Sequence, residues 1–328
     1  MSHTPRVAII GAGMSGLSAA SKLREAGVQV TLFDKSRGSG GRMSSKRTDF
    51  GTFDMGTQYF TARDPGFAAA AASWADAGLI STWQPRLFRY DEKGLIPSDD
   101  SQQRFVGTPR MTALSRGLLA SSELVSGTRI ERLERQAQQW HLVDSQQTLH
   151  GPYDQVIVAV PPAQAAPLLA GVANLVAPAS NSSMEPGWAV AITLPQKLDS
   201  SADAVFVRSG PLDWIAREAS KPGRANSENW VLQSTPAWAE AHLDDDPAQI
   251  VDALVAAMGE VLGIHIPTPV FQQAHRWLYA RPAADCEWGA LAAPEQGIYV
   301  CGDWCLGGRL EAAWVSGQQA AKAVLRVQ

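Results

Sequence analysis

A short glycine-rich stretch near the start of the sequence constrains the fold more than any other. Residues 7–10 are apolar, three of them are β-branched, and they predict a buried strand. Gly11, Gly13 and Gly16 follow, with the spacing of a turn that leads into a helix. The first glycine permits the turn, the second lets the backbone approach a diphosphate, and the third lets helix and strand pack closely. This spacing predicts a site for an ADP-containing dinucleotide.

The elements after the glycines agree with that interpretation. An amphipathic helix over residues 17–26 would direct its N-terminal N–H groups and partial positive charge at the diphosphate. A strand over residues 28–33 ends at Asp34, whose carboxylate suits a ribose hydroxyl and argues against an additional phosphate. The alternative is a glycine-rich turn without a ligand. The order strand, turn, helix, strand and acid argues against it.

Composition restricts the class of protein. The 328 residues suffice for one large or two intermediate domains, and the 45% hydrophobic content is typical of globular proteins. A formal net charge of −4 favours neither nucleic acid nor a membrane surface as a partner. No signal peptide, no apolar run of transmembrane length and no metal-ligand cluster is visible. Because the cysteines number three, we expect a reducing, cytoplasmic compartment rather than a disulfide framework.

The rest of the chain predicts two kinds of sheet. An apolar run at residues 156–160, stopped by two prolines, suits a central parallel strand buried on both faces. Between residues 188 and 235, short strands alternate with Pro, Gly, Ser and Asn, which is typical of an antiparallel sheet. Residues 297–303 return to a strand and a turn before a final helix over residues 312–327. We therefore predict an α/β fold in which a Rossmann-like domain carries a second, mostly antiparallel β-sheet domain.

The predicted domain boundaries follow from this change of texture. We assign residues 1–62, 105–170 and 290–328 to a discontinuous nucleotide-binding domain, and residues 63–104 and 171–289 to a substrate domain. Outside the segments already described, the patterns predict further strands and helices. Strands are expected over residues 83–90, 123–133, 139–143, 153–160 and 270–279, and helices over residues 65–77, 111–119, 236–242 and 247–262.

A basic glycine-rich loop directly follows Asp34. It contains Lys35, Arg37 and Arg42, and it has two interpretations. It is either a solvated basic loop, or a second phosphate contact in which the Arg42 guanidinium forks onto the diphosphate. Its position directly after the nucleotide-binding strand favours the second interpretation.

Several blocks of residues resemble FAD-dependent enzymes of the amine-oxidase superfamily. They are the N-terminal glycine turn with its strand, the stretch from Gly40 to Met43, the stretch from Asp54 to Tyr59, and Cys301-Gly302-Asp303. Within that superfamily the chain looks like the renalases of bacteria, to judge from residues 39–43, residues 54–59, residues 214–217 and the short length.

The resemblance implies a two-domain flavoprotein similar to para-hydroxybenzoate hydroxylase, with FAD held non-covalently. Renalases oxidise misreduced dihydronicotinamides, the 1,2- and 1,6-dihydro isomers of NAD(P)H, to NAD(P)+, and O2 then accepts the electrons to give H2O2. Hydride transfer to flavin N5 needs no general base, so no catalytic side chain is expected. A flavin amine oxidase, a desaturase and a non-catalytic flavin redox sensor stay open as alternatives.

The resemblance also implies which positions contact FAD. Asp303 resembles the acid of a second flavin fingerprint, and its alternative role is a helix or turn cap. The helix near Leu310 would direct its positive N-terminus at the N1/C2=O edge of the flavin, which stabilises the reduced anion. The expected FAD-binding residues are Gly11, Ala12, Gly13, Met14, Ser15, Gly16, Asp34, Lys35, Arg37, Gly41, Arg42, Met43, Thr57, Gln58, Arg129, Ile130, Asp303 and Leu310.

A second set of residues is expected around the substrate. Arg309 is the preferred ligand of the substrate diphosphate, ahead of Arg63, Arg208 and Arg217. For residues 57–60 the alternative is packing behind the flavin ring, and Trp277, Trp304 and His275 are further candidates. The expected substrate-binding residues are Thr57, Gln58, Tyr59, Phe60, Thr61, Ile96, Trp214, Trp288 and Arg309.

Two departures from the amine oxidases affect these expectations. Those enzymes usually carry a lysine that holds a water near flavin N5. Here the middle of the chain offers Lys197 and Lys221, and neither lies in a recognisable equivalent position. Cys286 lies upstream of the final glycine–acid motif, but not in the pattern of a flavin-attachment cysteine, so covalent attachment is disfavoured.

Overall fold

The computed structural model describes residues 4–120 and 122–327. The strands of these ranges, in chain order, are β1 (Arg6–Ile10), β2 (Gln29–Asp34), β3 (Ser45–Thr48), β4 (Gly51–Asp54), β5 (Ile80–Trp83), β6 (Leu87–Asp91), β7 (Gly94–Pro97), β8 (Arg104–Gly107), β9 (Glu123–Ser126), β10 (Ile130–Gln136), β11 (Gln139–Asp144), β12 (Leu149–Tyr153), β13 (Gln155–Val158), β14 (Met184–Thr193), β15 (Ala204–Val207), β16 (Leu212–Arg217), β17 (Asn229–Ser234), β18 (Phe271–Pro282), β19 (Leu291–Ala293) and β20 (Ile298–Val300). The α-helices are α1 (Met14–Glu25), α2 (Pro65–Asp76), α3 (Thr112–Leu119), α4 (Pro162–Leu168), α5 (Ala173–Asn181), α6 (Pro236–Ala241), α7 (Pro247–Leu262) and α8 (Leu310–Leu325).

The first sheet has the strand order β19-β20-β13-β1-β2-β9 and is parallel except for β19. Strand β13 lies between β1 and β20 and is buried along its whole length, as its apolar run predicts. One face of the sheet packs against α1, α3 and α8, and the other packs against α4, α5 and the β10–β12 meander. This is the predicted Rossmann-like domain, completed by the C-terminal strand and helix.

The second sheet has seven strands in the order β18-β14-β17-β16-β15-β6-β7. All its pairings are antiparallel apart from β6 with β15, which confirms the expectation of a mostly antiparallel sheet. One of its faces packs against α7 through large apolar side chains such as Trp188 and Trp230. We call the opposite face, which turns toward residues 53–59, the site face.

The helices α1 and α8 pack unusually closely. A Cβ atom added at Gly317 would lie 2.2 Å from the Ser15 carbonyl oxygen, so only glycine allows this approach. The Ser18 hydroxyl donates to the Trp314 carbonyl at 2.8 Å and fixes the contact further. The C-terminal helix is thereby held against the helix that starts the nucleotide-binding motif.

The structure differs from the sequence prediction at several boundaries. The strand expected over residues 83–90 is two strands, β5 and β6, because Pro85 interrupts the ladder. The strand expected over residues 123–133 is also two, because the chain turns at Gly127, which has a φ of +67°. Strand β12 and helices α4 and α5 were not predicted from the sequence. The domain boundaries themselves stay a prediction.

In the part of the chain that the structure covers, no helix is both long enough and apolar enough to cross a bilayer.

Candidate active site

The N-terminus of α1 opens onto free space. Gly13 precedes the helix, the first turn has neither a side-chain cap nor an acidic residue, and a Cβ atom added at Gly13 would meet nothing within 4 Å. By contrast, added Cβ atoms at Gly11 and Gly16 would lie 2.4 Å from the Ala159 carbonyl oxygen and 2.0 Å from the Gly11 carbonyl oxygen. Gly11 and Gly16 therefore allow close backbone packing, whereas Gly13 leaves open space at the start of α1. The uncapped N–H groups beside that room fit a diphosphate.

Asp34 is held at the end of β2 by two backbone donors. Its carboxylate accepts hydrogen bonds from the Ala12 and Ser36 N–H groups, each at 2.8 Å. The Thr128 N–H donates to the Asp34 carbonyl at 2.9 Å, which places the segment containing Arg129 and Ile130 beside this edge. The carboxylate keeps lone pairs for a ribose hydroxyl, since each of its oxygens accepts one bond here.

The loop after Asp34 folds over the start of α1. The Gly40 N–H donates to the Ala12 carbonyl at 2.8 Å, and a Cβ atom added at Gly41 would lie 3.5 Å from the Gly13 Cα. Met43 is buried beneath the loop, whereas Lys35 and Arg37 are exposed. The backbone at Gly41 therefore lies beside Gly13, at the N-terminus of α1.

Arg42 and Asp303 form a bidentate ion pair. Arg42 Nη1 lies 2.7 Å from Asp303 Oδ2, Nη2 lies 2.5 Å from Oδ1, and Nη1 also donates to the Ala280 carbonyl at 3.1 Å. The Asp303 carboxylate is buried and Arg42 is about one-third exposed, at 32%. The pair joins the loop after Asp34 to the C-terminal motif. The Asp303 side chain thus forms an ion pair with Arg42 rather than a helix or turn cap.

Residues 55–57 connect the two sheets. The Thr57 N–H donates to the Arg42 carbonyl at 2.8 Å, and Gln233 Nε2 of β17 donates to the Gly56 carbonyl at 2.6 Å. Trp277 Nε1 donates to the Met55 carbonyl at 2.9 Å. The segment therefore lies between the nucleotide-binding domain and the site face of the second sheet.

Aromatic rings surround Tyr59 on the site face. Its ring centroid lies 5.3 Å from that of Trp214 and 6.1 Å from that of Trp83, and Phe206 lies 4.9 Å from Trp214. The Arg104 guanidinium lies 5.2 Å above the Tyr59 ring. Burial raises the pKa of the Tyr59 phenol although Arg104 opposes this, so the phenol is neutral at physiological pH. Trp214 pairs with Gln233 across the strands, so both side chains lie on the same face.

The other predicted substrate residues are placed differently. Phe60 is buried in the core of the nucleotide-binding domain, with its ring 5.7 Å from Phe67 and 5.6 Å from Phe105. Thr61 and Ile96 are half-buried, and Ile96 belongs to the edge strand β7. Phe60 thus has the packing position that the sequence left open as an alternative.

The C-terminal motif ends in a helix whose start faces the loop before α2. Helix α8 begins at Leu310, two residues before the start of the helix predicted over residues 312–327, and the exposed Arg309 precedes it without a side-chain capping bond. The Glu311 carboxylate accepts hydrogen bonds from the Arg63 and Asp64 N–H groups, both at 2.6 Å. Trp288 is 43% exposed. Its ring lies edge-on at 6.2 Å from the buried ring of Trp304.

The cysteines near this motif are free thiols. Cys286 is half-buried, and Cys301 and Cys305 are buried. Burial raises the pKa of the Cys301 thiol to about 12, so it is an uncharged packing group at neutral pH.

A buried cluster of four charged side chains contacts Gln58 and was not predicted from the sequence. Its members are Asp54, Glu218, Lys221 and Arg224. Lys221 Nζ lies 2.6 Å from Glu218 and 3.4 Å from Asp54, and Arg224 contacts both carboxylates. All four side chains are at most 1% exposed. Burial opposes ionisation of Asp54, but Lys221, Arg224 and a hydrogen bond from Ser45 hold its pKa below the usual value.

The cluster fixes Gln58. Lys221 Nζ donates to Gln58 Oε1 at 3.1 Å, and Gln58 Nε2 donates to the Asp54 carbonyl. The three donors of the Lys221 ammonium are thereby assigned to Glu218, Gln58 and Asp54. A sequence signal existed only for Asp54, a charge between the apolar Phe53 and Met55, because Lys221 and Arg224 lie in a stretch with the polarity of an ordinary loop.

Two protein families match this chain over consecutive parts of its length. Residues 9–76 match the NAD(P)-binding Rossmann-like domain, and residues 95–325 match the flavin-containing amine oxidoreductase family. The second match covers well over half of the chain.

The curated relatives match a smaller part of this chain. A 4,4'-diapophytoene desaturase from Staphylococcus aureus (strain Newman) is 34% identical over 102 residues, which are 29% of this chain and 20% of that protein. The corresponding desaturase of Staphylococcus haemolyticus is 52% identical over 50 residues, which are 15% of this chain and 10% of that protein. The matched segment thus spans about a fifth or less of these relatives.

Solved structures match over the full length. A protein from Exiguobacterium sp. 255-15, provisionally described as a protoporphyrinogen oxidase, superposes with a TM-score of 0.81 at 14% identity, covering 100% of both chains. A putrescine oxidase variant, A394C, superposes with a TM-score of 0.73 at 13% identity, covering 99% of this chain and 100% of that one. At such identities the likeness establishes the two-domain fold. With the family match and the uncapped α1 N-terminus, it leads to one conclusion: the chain belongs to the flavin-containing amine oxidoreductase family, with FAD as its non-covalently bound cofactor.

Proposed function

We propose that this chain is a renalase-like oxidase that converts 1,2- and 1,6-dihydro-NAD(P) to NAD(P)+. Bound FAD would supply two-electron chemistry, by which the hydride of the dihydropyridine ring, one proton from solvent and O2 would give one NAD(P)+ and one H2O2 for each substrate. The substrate ring becomes aromatic in this step. The protein therefore has to orient the ring and exclude water, and it needs no general base.

The observation that carries the proposal is the assignment of all three Lys221 donors. In the amine oxidases that the chain resembles, a lysine holds a water near the flavin. Lys221 is the buried lysine closest to the Gly56–Tyr59 segment, but its ammonium is occupied by Glu218, Gln58 and Asp54. Lys221 is thus a structural cation that holds Gln58. A lysine whose donors are all occupied supports direct hydride transfer better than amine oxidation assisted by a lysine-bound water.

The residues on the site face have the corresponding roles in this proposal. Tyr59 and Trp214 provide flat walls for the substrate ring and exclude water from it. Thr57 and Gln58 hold the segment that separates this ring from the nucleotide-binding domain. Arg309, exposed and uncommitted at the start of α8, binds the substrate diphosphate.

The residues around α1 hold the cofactor. The α1 N-terminus and the Gly41 backbone bind its diphosphate, Asp34 binds a ribose hydroxyl, and the Arg42–Asp303 pair closes the site from the C-terminal side. This assignment keeps the two diphosphates, one of FAD and one of the substrate, at separate positions.

A desaturase or amine oxidase is the second candidate. The two curated relatives described above are desaturases, and a putrescine oxidase shares the fold of this chain. An apolar polyene or an amine would then replace the dihydronicotinamide on the site face.

Turnover stoichiometry separates the two candidates. The FAD-loaded protein is supplied with 1,2-dihydro-NAD(P), 1,6-dihydro-NAD(P), ordinary NADH or an amine panel, while O2, H2O2 and nicotinamide products are measured. We expect equal amounts of O2 consumed, H2O2 formed and NAD(P)+ formed with at least one isomer, and much slower turnover of NADH. Oxygen consumption with an amine, and none with either isomer, would reject the proposal in favour of the second candidate.

A further inference from the structure

Two buried hydrogen-bond donors on or next to the site face lack a partner within residues 4–120 and 122–327. They are Trp214 Nε1, on the site face itself, and Arg104 Nε, on strand β8 next to that face. Their side chains belong to residues that are only 5% and 4% exposed. Buried donors of this kind are normally paired, because an unmade hydrogen bond costs the full desolvation of the group. Two such donors together therefore indicate an acceptor supplied from outside the chain.

The two donors lie around the same aromatic rings. Arg104, the first residue of β8, places its guanidinium 5.2 Å above Tyr59 and 5.9 Å above Phe206. Trp214, on β16, contacts those same two rings at 5.3 and 4.9 Å. The donors thus come from different strands and belong to side chains that contact the same two aromatic rings, Tyr59 and Phe206.

Charge around these donors restricts the acceptor. Arg104 Nη2 lies 2.7 Å from Asp100 Oδ2, and Nη1 donates to the Gln102 carbonyl at 2.9 Å. The ion pair with Asp100 balances the guanidinium charge and leaves Nε–H free. A second guanidinium, that of Arg208, lies 5.3 Å from the Phe206 ring, but it is exposed and therefore screened by solvent. A neutral carbonyl oxygen suits the buried donors better than a phosphate, whose charge the neutral ion pair would leave uncompensated.

We infer that Trp214 Nε1–H and Arg104 Nε–H together bind a neutral carbonyl oxygen carried by a planar ring. Identifying that ring as nicotinamide, and the oxygen as its carboxamide oxygen, rests on the proposed function. The site selects its substrate by hydrogen bonding, since an alkylammonium group or a polyene has no acceptor and would leave both donors unpaired.

Binding measurements on the FAD-loaded protein test the inference. The probes are NAD+ and a pyridine dinucleotide that lacks the carboxamide, titrated while the flavin absorbance is followed. Trp214→Phe removes the indole N–H and keeps a ring, and Arg104→Lys keeps the charge and removes Nε–H. Trp188→Phe is the matched control, because Trp188 is equally buried on the opposite face of the sheet and its Nε1 already donates to the His242 carbonyl at 3.1 Å.

We expect Trp214→Phe and Arg104→Lys each to weaken NAD+ binding about tenfold, the loss typical of one hydrogen bond. The probe without the carboxamide should bind wild type and both variants alike, and Trp188→Phe should leave NAD+ affinity within about twofold of wild type. The inference is overturned if wild type fails to bind NAD+, if both variants bind it as wild type does, or if they weaken both probes equally.

The turnover assay with wild type separates this inference from the proposed function. If neither dihydro isomer is oxidised while NAD+ binding still depends on the carboxamide and on Trp214, the oxidase proposal fails and the carbonyl site stands. If the isomers are oxidised but the two variants bind NAD+ normally, the carbonyl site fails and the oxidase proposal stands.

Discussion

At the scale of single residues, the polar groups of the nucleotide site act through short and specific contacts. The Asp34 carboxylate accepts hydrogen bonds from the Ala12 and Ser36 N–H groups, and the Arg42 guanidinium donates two hydrogen bonds to the Asp303 carboxylate. The sequence predicted Ala12, Asp34, Arg42 and Asp303 for the FAD site. It did not predict that Arg42 and Asp303, which lie 261 positions apart, pair with each other.

Replacement of Asp34 tests the ribose contact. Asp34→Ala should lower FAD affinity about tenfold or more, because a charged acceptor of hydrogen bonds is lost. The checks are the flavin-to-protein ratio on purification and titration of the apoprotein with FAD. Asp144→Ala is the matched control, since Asp144 likewise accepts backbone N–H groups, from Gln146 and Thr148, in the β10–β12 meander. Full FAD retention by Asp34→Ala would contradict the assignment.

Replacement of Arg309 tests capture of the substrate diphosphate. Arg309→Ala should lower kcat/KM for the dihydronicotinamide dinucleotide about tenfold or more, because an ionic hydrogen bond to phosphate is lost. The flavin spectrum and FAD content should be unchanged. Arg326→Ala, at the other end of α8, should behave like wild type. An unaltered kcat/KM for Arg309→Ala would refute the phosphate role.

The buried charge cluster shows why some site residues escape prediction. Asp54 and Lys221 lie 167 positions apart, and no local pattern relates them. Gly11, Gly13, Gly16 and Asp34 lie within 24 consecutive residues, so their spacing alone defines a site. Sequence patterns therefore reveal candidate residues that share a local turn and miss those that meet only through long-range packing.

At the scale of elements, the helices with clear apolar periodicity and caps were predictable. Helix α7 begins after the capping Asp246 and ends before Gly263 in a left-handed conformation, as the sequence pattern indicates. Helices α4 and α5 were not, because each is short and contains an internal proline, Pro167 and Pro178. Proline normally argues against a helix interior.

The α1–α8 contact can be tested at its closest point. Gly317→Ala should destabilise the protein by about 1–3 kcal/mol, because the added methyl group meets the Ser15 carbonyl and the helices must separate. Chemical denaturation of the FAD-loaded protein measures the change. Gly171→Ala is the control, since its added methyl group would meet nothing within 4 Å, and its stability should equal or slightly exceed that of wild type. Equal stabilities of the two variants would contradict the packing account.

At the scale of the whole molecule, the buried charge cluster links distant parts of the chain. Asp54 ends β4, Glu218 and Lys221 follow β16, and Arg224 donates to the Gly107 carbonyl at 3.0 Å. The sequence predicted the two-domain arrangement, including the return of the chain to the first sheet at its C-terminal end. It did not predict this connection, because the apolar pattern carries no information about which buried charges meet.

Removal of one cation should therefore destabilise the fold strongly. Lys221→Met leaves Asp54 and Glu218 buried with one cation fewer, which costs about 3–5 kcal/mol when a buried partner is lost. Lys197→Met, at an exposed lysine, should leave the free energy of unfolding unchanged. Similar unfolding curves for the two variants would show that the cluster contributes little.

The cluster also predicts a pH dependence. Burial raises the pKa of Glu218, with Lys221 opposing and Asp54 adding to the shift. Because the pKa of Glu218 is raised in the folded state, the contribution of its proton to stability is fully present below the ordinary glutamate pKa. This contribution is lost as pH rises through the pKa of the folded state. Glu218→Gln cannot lose this proton. The free energy of unfolding of Glu218→Gln should therefore rise relative to that of wild type between the ordinary and the folded-state glutamate pKa, and then level off. Denaturation at a series of pH values from about 4 to about 8 measures this difference. A pH-independent difference would contradict the raised pKa.

Anaerobic stopped-flow absorbance tests the central claim most directly, because it observes electron entry without oxygen. The FAD-loaded protein is mixed with each dihydro isomer, with ordinary NADH and with an amine panel. We predict rapid, stoichiometric bleaching of the flavin band by 1,2- or 1,6-dihydro-NAD(P), and slow or no bleaching by NADH and amines. Bleaching by an amine alone, or by none of these compounds, would contradict the assignment of a dihydronicotinamide oxidase.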